Sequence, residues 1–515
     1  MHPANYAKSN PNLPAYIMTD TKEVVTYKQL NDRSIQASHL LREHGLKRGD
    51  AIVIFLENHL RFLELCWAAQ RAGLYFTTIS SRLATPEIEY ILSDLKPKVF
   101  FTSKKLVDVA KGVRQLAAKE IPAYIVDDGD QEPFMSYLPA RDRFPETPIT
   151  DESPGVDLLY SSGTTGRPKG VKLPLPDGNL DAMEERWKLY HTVMGFDLGS
   201  VHYIPSPMYH SLPLHHAMIA QRYGGTVLMI PRFDAEDALR LIEEYKVTQS
   251  SWVATMFIRM LKLPEAVRKQ YDISSMISMV HGAGPCPIPV KEKMIEWFGE
   301  IIYEAYGSTE GFGSAFIGST EWLQHKGSVG KPALGNAHIV DEESGEELPA
   351  GEVGTIYFAN PRKVEYLNDT EKNESVRLKN GWATAGDIGY LDQDGYLYLT
   401  DRKADMIISG GVNIYPQEIE AILALHPKVS DIAVFGIPNE EFGEEVKAVI
   451  QPAPGAQPSA DLEAEIIEYC RSELSAVKAP RSVDFLEKLP RHETGKLYKR
   501  LLKAPYWKDH EKNVN

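Results

Sequence analysis

Residues 160–171 read YSSGTTGRPKGV and follow a short, largely apolar run at 156–160. The stretch holds three glycines, two serines, two threonines and the cations Arg167 and Lys169. Glycines let a backbone turn closely around a bulky anion, hydroxyl groups donate to its oxygens, and cations offset its charge. This composition predicts a cradle for a triphosphate.

The spacing excludes two common phosphate loops. A Walker loop places four residues between its glycines and then Gly-Lys-Ser/Thr, whereas Gly163 and Gly166 are separated by two residues here. A dinucleotide fingerprint opens a helix, and Pro168, which lacks an N–H, suits a loop better than a helix interior. A solvated Gly/Ser/Thr linker is the remaining alternative, and two cations beside three glycines favour a functional loop over it.

The composition of the whole chain is that of a globular enzyme. Its 515 residues exceed what one hydrophobic core usually supports, so two or more domains are expected. Hydrophobic residues make up 43%, and 56 basic against 71 acidic residues give a net charge of -15. This balance disfavours nucleic acid and anionic membranes as partners, and an anionic substrate therefore needs a locally positive site.

The cysteines and the apolar runs predict a cytoplasmic protein. Cys66, Cys286 and Cys470 are far apart and lack CxxC spacing, which predicts a reducing compartment and no structural zinc. The first residues carry no charged-then-apolar leader, and no run approaches the roughly 18 to 20 apolar residues of a membrane span. No integral membrane span is expected.

Alternating helix-like and strand-like segments predict an α/β fold. Helical spacing from Thr26 gives way to an apolar run at 51–56, and the alternation recurs at 64–73, 87–95 and 99–102. The polar, proline-containing residues 127–153 are interpreted as a surface connection. Strand-like runs at 276–280 and 303–306 end in HGAGP and YGSTEG, and the carboxyl ends of strands are where open α/β sheets bind ligands.

From Gly351 the pattern changes to shorter, glycine-punctuated segments, and a compact α+β unit of about a hundred residues follows. We predict a large N-terminal multi-subdomain α/β domain, residues 1–401, and a small mobile C-terminal α+β domain, residues 402–515.

Several polar residues outside the first stretch are candidates with ordinary alternatives. Glu310 suits a magnesium ion held by one carboxylate and substrate phosphates, or it is a solvated turn residue. Asp387 and Arg402 suit a ribose diol, or they form a surface ion pair. Lys496 follows a glycine near the C-terminus and is either a solvated charge or a mobile cation that stabilises a developing phosphate charge.

Histidines at 210, 215 and 216 have no nearby carboxylate or cysteine in the sequence to complete a metal site, so a pocket or core role is favoured. Asp392, Asp394 and Gly395 lack the further ligands of a calcium loop, which indicates an ordinary β-turn.

Taken in order, YSSGTTGRPKG, YGSTE, TAGD, DRKADMIISGG and PRHETGK resemble the adenylate-forming superfamily of acyl-CoA synthetases, adenylation domains and beetle luciferases. The resemblance covers nearly the whole chain. It implies two half-reactions: an acid and ATP give an acyl-adenylate and pyrophosphate, and then a thiol takes the acyl group while the small domain rotates between the two.

The resemblance also implies roles for residues at matching positions. The nucleotide-binding positions are Ser161, Ser162, Gly163, Thr164, Thr165, Lys169, Gly282, Ala283, Gly284, Pro285, Tyr306, Gly307, Thr309, Asp387 and Arg402. Among these, Thr164, Thr165 and Lys169 are expected on the β- and γ-phosphates, with Thr165 counted as catalytic. Thr309 and Glu310 would serve the α-phosphate and magnesium.

Five further implied positions concern the acid and the second half-reaction. His210 would gate the acyl pocket, and Lys496 would bridge the carboxylate and the α-phosphate. Ser409, Gly410 and Gly411 would line the pantetheine tunnel after rotation. One position departs from the family pattern: the hinge residue two after Arg402 is usually Asp or Lys and is Ala404 here.

The resemblance also bears on the acid: amino-acid adenylation domains carry an acidic residue near the position of His210 that pairs with the substrate amine, whereas residues 206–213 read SPMYHSLP here. The resemblance therefore implies an acid without an α-amine. Apolar candidates for its pocket point to a fatty, aryl or alicyclic, steroid-type acid. They are Tyr209, Trp252, Val253, Met256, Phe257, Gly311, Phe312 and Phe316.

The leading hypothesis is an ATP- and magnesium-dependent acid–CoA ligase with coenzyme A as co-substrate, possibly a homodimer. The alternatives are an enzyme that passes the adenylate to a carrier protein or an amine, and a nucleotide-binding regulator that has lost catalysis.

Overall fold

The computed structural model describes residues 1–129, 131–161, 168–182, 185–359, 361–402, 405–410, 412–491 and 497–508. The helices follow in chain order: α1 Pro3–Ser9, α2 Tyr27–Glu43, α3 Phe62–Arg71, α4 Thr85–Leu95, α5 Val107–Lys111, α6 Arg114–Ala117, α7 Tyr137–Asp142, α8 Glu185–Met194, α9 Ser211–Arg222, α10 Ala235–Tyr245, α11 Ala254–Leu261, α12 Glu265–Arg268, α13 Ile288–Phe298, α14 Ser319–Trp322, α15 Thr370–Ser375, α16 Pro416–Leu423, α17 Ala460–Glu473 and α18 Lys499–Trp507.

Residues 51–157 contain a parallel sheet of six strands, with neighbours in the order β7-β6-β5-β3-β4-β8. Its strands are β3 Ala51–Phe55, β4 Tyr75–Thr78, β5 Val99–Thr102, β6 Ala123–Ile125, β7 Met135–Ser136 and β8 Val156–Asp157. Every residue of β3, β4 and β5 is buried. Continuous apolar strands of this kind are typical of parallel sheets covered by helices on both faces.

A mixed sheet of thirteen strands forms the largest layer, in the order β18-β19-β21-β22-β17-β16-β15-β14-β13-β11-β12-β1-β2. Its strands are β1 Pro14–Met18, β2 Val24–Thr26, β11 Val201–Ile204, β12 Thr226–Met229, β13 Gln249–Trp252, β14 Ser278–His281, β15 Ile302–Gly307, β16 Ser314–Gly318, β17 Ser328–Leu334, β18 Asn336–Val340, β19 Gly354–Ala359, β21 Asp387–Leu391 and β22 Leu397–Arg402. The run from β12 through β15 is parallel, so the carboxyl ends of these strands meet at one edge.

Two smaller sheets complete the fold. One joins β9 Leu159–Ser161, β10 Lys169–Lys172 and β20 Glu365–Tyr366. The other lies in the C-terminal part and consists of β23 Ile407–Ser409, β24 Val412–Ile414, β25 Val429–Asn439, β26 Gly443–Pro452 and β27 Ser482–Phe485.

The architecture confirms the predicted fold class: a large N-terminal α/β domain precedes a smaller C-terminal α+β domain. Strand β22 ends at Arg402 in the large sheet, and β23 begins at Ile407 in the small one. The boundary after residue 401 and the mobility of the small domain stay predictions.

The interpretation of residues 127–153 as a surface connection is wrong in part. The segment contains β7 and α7, and α7 buries Tyr137 and Arg141. Both side chains bind the fully buried Glu64 of α3: the Tyr137 hydroxyl donates to Oε1 at 2.7 Å, and Arg141 Nη1 lies 2.6 Å from the same oxygen. The polar residues of this segment thus neutralise a buried carboxylate.

Among the described residues, no helix combines the length and the apolar character that crossing a bilayer requires.

Candidate active site

The glycine-rich stretch is held at both ends by an antiparallel hairpin. Ser161 of β9 pairs with Lys169 of β10, and Tyr160 pairs with Gly170. Ser162, Gly163, Thr164 and Thr165, which connect the two strands in the sequence, lie outside the described residues. The Tyr160 hydroxyl donates to Asp94 Oδ2 at 2.7 Å, which fixes the hairpin against the end of α4.

Lys169, the predicted phosphate ligand, is paired with a carboxylate. Its ammonium lies 2.5 Å from Asp369 Oδ2. The hydrogen bond from Lys169 and one from the Lys372 main chain lower the pKa of Asp369. The other oxygen of Asp369 caps α15 by accepting from the Lys372 N–H at 2.9 Å. A triphosphate that binds Lys169 would therefore compete with Asp369 for the ammonium group.

Glu310 lies next to the same hairpin. The carboxylate is buried, and its Oε1 accepts a hydrogen bond from the Tyr366 hydroxyl at 2.8 Å. Tyr366 belongs to β20, where it pairs with Val171 of β10. Burial, followed by the charge of Glu310, raises the pKa of the Tyr366 hydroxyl. The hydroxyl therefore keeps its proton and donates the hydrogen bond to the carboxylate. Tyr366 thus joins the YGSTE turn to the glycine-rich hairpin.

Tyr306 and Asp387 are brought together as well. The Tyr306 hydroxyl donates to Asp387 Oδ2 at 2.8 Å, although 81 residues separate them. Asp387 begins β21, and its backbone pairs with that of Arg402 on β22. The Arg402 side chain is outside the described part of the chain. Gly307 ends β15, and Thr309 is half-buried in the turn before Glu310.

The loop at 282–285 follows β14 and exposes three of its four residues. A side chain at Gly282 would place its Cβ 2.7 Å from the Ala305 carbonyl oxygen, so only glycine fits there. Ala283 has a φ of +66°, an unusual conformation for a residue other than glycine. Ala283, Gly284 and Pro285 are exposed. Strain of this kind collects at ligand sites, where surrounding structure maintains it.

Tyr209 and His210 precede α9 at the same edge of the sheet. Tyr209 is buried, His210 is half-buried at the N-cap, and their ring centroids are 4.4 Å apart. Thr78 Oγ1 donates to the Tyr209 carbonyl at 3.1 Å, which connects this turn to the first sheet.

The other predicted pocket residues differ in how far they can reach a ligand. Trp252 is fully buried and packs against Tyr203 and Phe257, and Met256 lies in the same core cluster. Phe312 belongs to a different cluster, next to Gly311, whose φ is +64°. Contact of these residues with an acid stays a prediction.

The nearby histidines are engaged with other side chains. His215 Nε2 lies 3.0 Å from Asp157 Oδ2, and His216 Nδ1 lies 2.6 Å from Ser251 Oγ. In the described ranges, no group of three or more His, Cys, Asp or Glu side chains is placed to hold a metal ion.

The remaining predicted site residues lie in two loops of the small domain. Ser409 is buried, and Gly410, with φ +57°, donates its N–H to the Phe442 carbonyl at 2.8 Å. Gly411 falls outside the described residues, as do Ala404 and Lys496.

The described flanks of Lys496 form a second hairpin. The Tyr498 N–H donates to the Pro490 carbonyl at 2.9 Å. Arg491 binds Asp431 through Nε and Nη2 at 2.5 and 2.8 Å. Burial and the charge of Glu87 raise the pKa of Tyr498, and Arg82 opposes that shift. Glu87 and Arg82 are residues of the predicted large domain.

Comparison with protein families identifies both parts of the chain. The AMP-binding enzyme model matches residues 4–364, and the AMP-binding enzyme C-terminal domain model matches residues 418–496. The chain belongs to the AMP-binding enzyme family. The resemblance to the adenylate-forming superfamily is thereby confirmed.

Relatives of this AMP-binding enzyme include acid–thiol ligases of similar length. A feruloyl-CoA synthase of Amycolatopsis is 31% identical over 506 residues, 96% of each chain. The long-chain-fatty-acid–CoA ligase FadD13 of Mycobacterium tuberculosis is 30% identical over 508 residues, 97% of each chain. A fatty acid–[acyl-carrier-protein] ligase, ScoC of Streptomyces coeruleorubidus, is 30% identical over 99% of this chain and 96% of its own.

Solved structures agree with the described fold. ATP-bound MatB from Rhodopseudomonas palustris superposes with a TM-score of 0.83 at 26% identity, covering 99% of this chain and 100% of MatB. The o-succinylbenzoate CoA synthetase MenE from Bacillus subtilis, bound to its acyl-adenylate, gives 0.79 at 27% identity and 97% coverage of both chains.

Proposed function

We propose that this AMP-binding enzyme is an acid–CoA ligase that makes an acyl-adenylate from a carboxylic acid and ATP, releases pyrophosphate, and transfers the acyl group to coenzyme A. The observation that carries the proposal is the meeting of three separate motifs. Tyr366 pairs with the glycine-rich hairpin through its backbone and donates a hydrogen bond to Glu310 through its hydroxyl. Tyr306, the first residue of the YGSTE motif, donates a hydrogen bond to Asp387.

In the first half-reaction, a carboxylate oxygen attacks the α-phosphorus and pyrophosphate leaves. The chain has mainly to position the reactants and offset charge, so no nucleophilic side chain is needed. Lys169 and the hairpin hydroxyls would hold the departing phosphates, Asp387 and Arg402 the ribose, and the loop at 282–285 the adenine. Lys496 would bridge the carboxylate and the α-phosphate.

Glu310 suits a magnesium ion. Magnesium is usually held through one or two carboxylates together with substrate phosphates, rather than by an all-protein cage. Tyr366 binds Oε1 of the buried Glu310 and so orients the carboxylate next to the hairpin. When bound, the ion would neutralise charge on the phosphates.

In the second half-reaction, the thiol of coenzyme A attacks the acyl carbonyl and AMP leaves. The loop with Ser409, Gly410 and Gly411 would line the path of the pantetheine after the small domain has rotated. Such a rotation has to break the present contact between the domains, in which Lys262 Nζ donates to the Val429 carbonyl at 2.7 Å. Coenzyme A rather than a carrier protein is favoured because feruloyl-CoA synthase and FadD13 are named for it, whereas ScoC is named for the carrier.

The test is a screen of carboxylic acids by acid-dependent pyrophosphate release, followed by mass spectrometry of the products with coenzyme A, carrier protein or amines as acceptors. An acyl-CoA product is expected. Glu310→Gln should abolish pyrophosphate release, while Glu374→Gln, an exposed glutamate on α15, should not change it.

Pyrophosphate release without acyl-CoA, even in excess coenzyme A, would favour the carrier or amine alternative. ATP binding without any acid-dependent turnover would favour the regulator. The proposal includes a cytoplasmic location and a homodimer, and light scattering of the purified chain tests the latter.

A further inference from the structure

A buried chain of three polar side chains lies beneath the predicted acyl region. His216 Nδ1 is 2.6 Å from Ser251 Oγ, and the same hydroxyl is 3.0 Å from His202 Nε2. All three residues are almost completely shielded from solvent. Burial lowers the pKa of His202 to about 3 and that of His216 well below its ordinary value. Both imidazoles are therefore neutral near pH 7.

Both ends of this chain are open: His216 Nε2 and His202 Nδ1 are buried and have no hydrogen-bond partner among the residues that the structure describes. His216 is the end that lies on α9, the helix that begins next to His210. Buried polar atoms in native proteins are nearly always paired, because leaving one unpaired costs its full desolvation. An unpaired atom of this kind needs a reason, and a ligand that supplies the partner is one.

The position of His216 points toward the acid. Leu212, one turn earlier on α9, lies next to the loop at 282–285: a Cβ added to Gly282 would be 3.5 Å from Leu212 Cδ1. Residues four apart lie on the same helix face, so His216 is about 6 Å deeper along the axis, roughly the length of one aromatic ring.

Two half-buried rings border this place. Tyr190 of α8 lies with its centroid 4.8 Å from that of His216 and 5.0 Å from that of Phe316. Nε2 is buried in the present arrangement. Contact with a ligand therefore requires a neighbouring side chain, such as Tyr190, to turn aside.

We propose that His216 selects acids that carry a hydroxyl group at the far end of an aryl-sized acyl group, and that Ser251 and His202 orient its imidazole for this purpose. The inference rests on the proposed function. A hydroxyl both donates and accepts, so it satisfies Nε2 whichever ring nitrogen carries the proton. A neutral chain of imidazole and hydroxyl groups gives a distal carboxylate or ammonium no opposite charge, and burying either there is costly.

The experiment compares matched acids that differ by one hydroxyl: 4-hydroxycinnamic against cinnamic acid, and 4-hydroxybenzoic against benzoic acid. Pyrophosphate release gives kcat/KM for each. A site built to bond a substrate hydroxyl rejects the analogue that lacks it, so the native chain should prefer the hydroxylated member of at least one pair by about 10- to 100-fold. His216→Phe should bring that ratio close to one, and His216→Gln, which retains a hydrogen-bonding group, should keep part of it.

His215→Phe is the matched control, because His215 is the adjacent residue on α9 and contacts Asp157 instead. It should leave the ratio unchanged. A native preference for the unsubstituted acid in both pairs, or a ratio that His216→Phe does not alter, would overturn the inference.

Equilibrium binding of each acid by calorimetry separates this inference from the proposed function. If no acid supports pyrophosphate release, the proposed function fails. The calorimetric preference for the hydroxylated acid, and its loss in His216→Phe, still decides the role of His216. A purely structural histidine would lower the melting temperature on substitution without changing the preference.

Discussion

Replacing Tyr366 by phenylalanine removes one oxygen atom and tests the link between the glycine-rich hairpin and the YGSTE turn. The lost interaction is the 2.8 Å hydrogen bond from the Tyr366 hydroxyl to Glu310 Oε1. The ring and its place on β20 are kept, so the pairing with Val171 should survive. The substitution therefore isolates the orientation of the carboxylate.

The magnitude follows from burial and charge. Tyr366 is 5% exposed and Glu310 is 8% exposed, so water can scarcely replace the missing hydroxyl. A hydrogen bond to a charged group contributes about 1.5–3 kcal/mol. If this energy orients Glu310 for the first half-reaction, kcat/KM for ATP should fall by about 10- to 150-fold.

The assay measures each half-reaction separately. Pyrophosphate release reports adenylate formation, and acyl-CoA production from supplied acyl-adenylate reports the transfer. The first should show the full loss, and the second should stay within about twofold, because Glu310 is assigned only to the phosphates and their metal ion. The magnesium concentration for half-maximal pyrophosphate release should rise in parallel.

Tyr357→Phe is the matched control. Tyr357 is a buried tyrosine on β19, and it points to the face of the strand opposite Phe358, which lies near Tyr306. It should leave both half-reactions unchanged. A Tyr366→Phe enzyme with less than twofold loss in pyrophosphate release, or with equal loss in both steps, would refute the assignment of Tyr366 as a positioning residue for Glu310.

Three further predictions address charge and burial. Asp369→Asn keeps an N-cap for α15 but removes the charged partner of Lys169. KM for ATP should then fall about 2- to 5-fold, because the ion pair that is lost is partly exposed and therefore weak. A rise in KM would contradict this prediction. Lys496→Ala should nearly abolish pyrophosphate release yet retain acyl transfer from supplied acyl-adenylate. Equal loss of both steps would refute the proposed role of Lys496 in adenylate formation. Burial lowers the pKa of His281 far below 6.5, so the unfolded chain alone gains a proton as the pH falls. The free energy of unfolding should therefore fall by about 1.4 kcal/mol for each pH unit below about pH 6.5 through this histidine. His281→Gln removes this contribution, so the melting temperature of the variant should depend less steeply on pH.

The pattern of apolar residues along the sequence is sufficient to predict several strands of the fold. The apolar run at 99–102 is β5 residue for residue, and the predicted strand at 51–56 is β3 with one residue fewer. Continuous burial leaves a signal in the sequence itself, because each strand residue is apolar or small. Segment 127–153 shows the limit of this reasoning. Its helix buries Arg141 against Glu64, 77 residues earlier, and no periodicity within the segment reveals that partner.

The candidate site divides in the same way. The glycine-rich stretch, Glu310 and Asp387 are predictable as candidates from the sequence because each lies in a short motif. The residues that hold them were missed: Tyr366 is 56 residues from Glu310, and Asp369 is 200 residues from Lys169. Neither Tyr366 nor Asp369 belongs to a recognisable motif in its local sequence. Only the pairing of β20 with β10 gives them a role.

The pairing of Lys169 also changes what the glycine-rich stretch is expected to do. A free cation in the cradle would attract any anion, whereas Asp369 already neutralises this one in a chain with a net charge of -15. A single weak anion gains little by replacing a carboxylate 2.5 Å away. If the glycine-rich stretch is the predicted cradle, a triphosphate would be held by its other groups as well, and the exchange would favour ATP over simple phosphates. If Lys169 holds the departing pyrophosphate, Asp369 would compete with that product for the ammonium group. The hairpin would then distinguish between anions by the number of contacts that each makes at the same time. This selectivity would depend on the carboxylate of Asp369, which lies outside every motif that the sequence analysis identified.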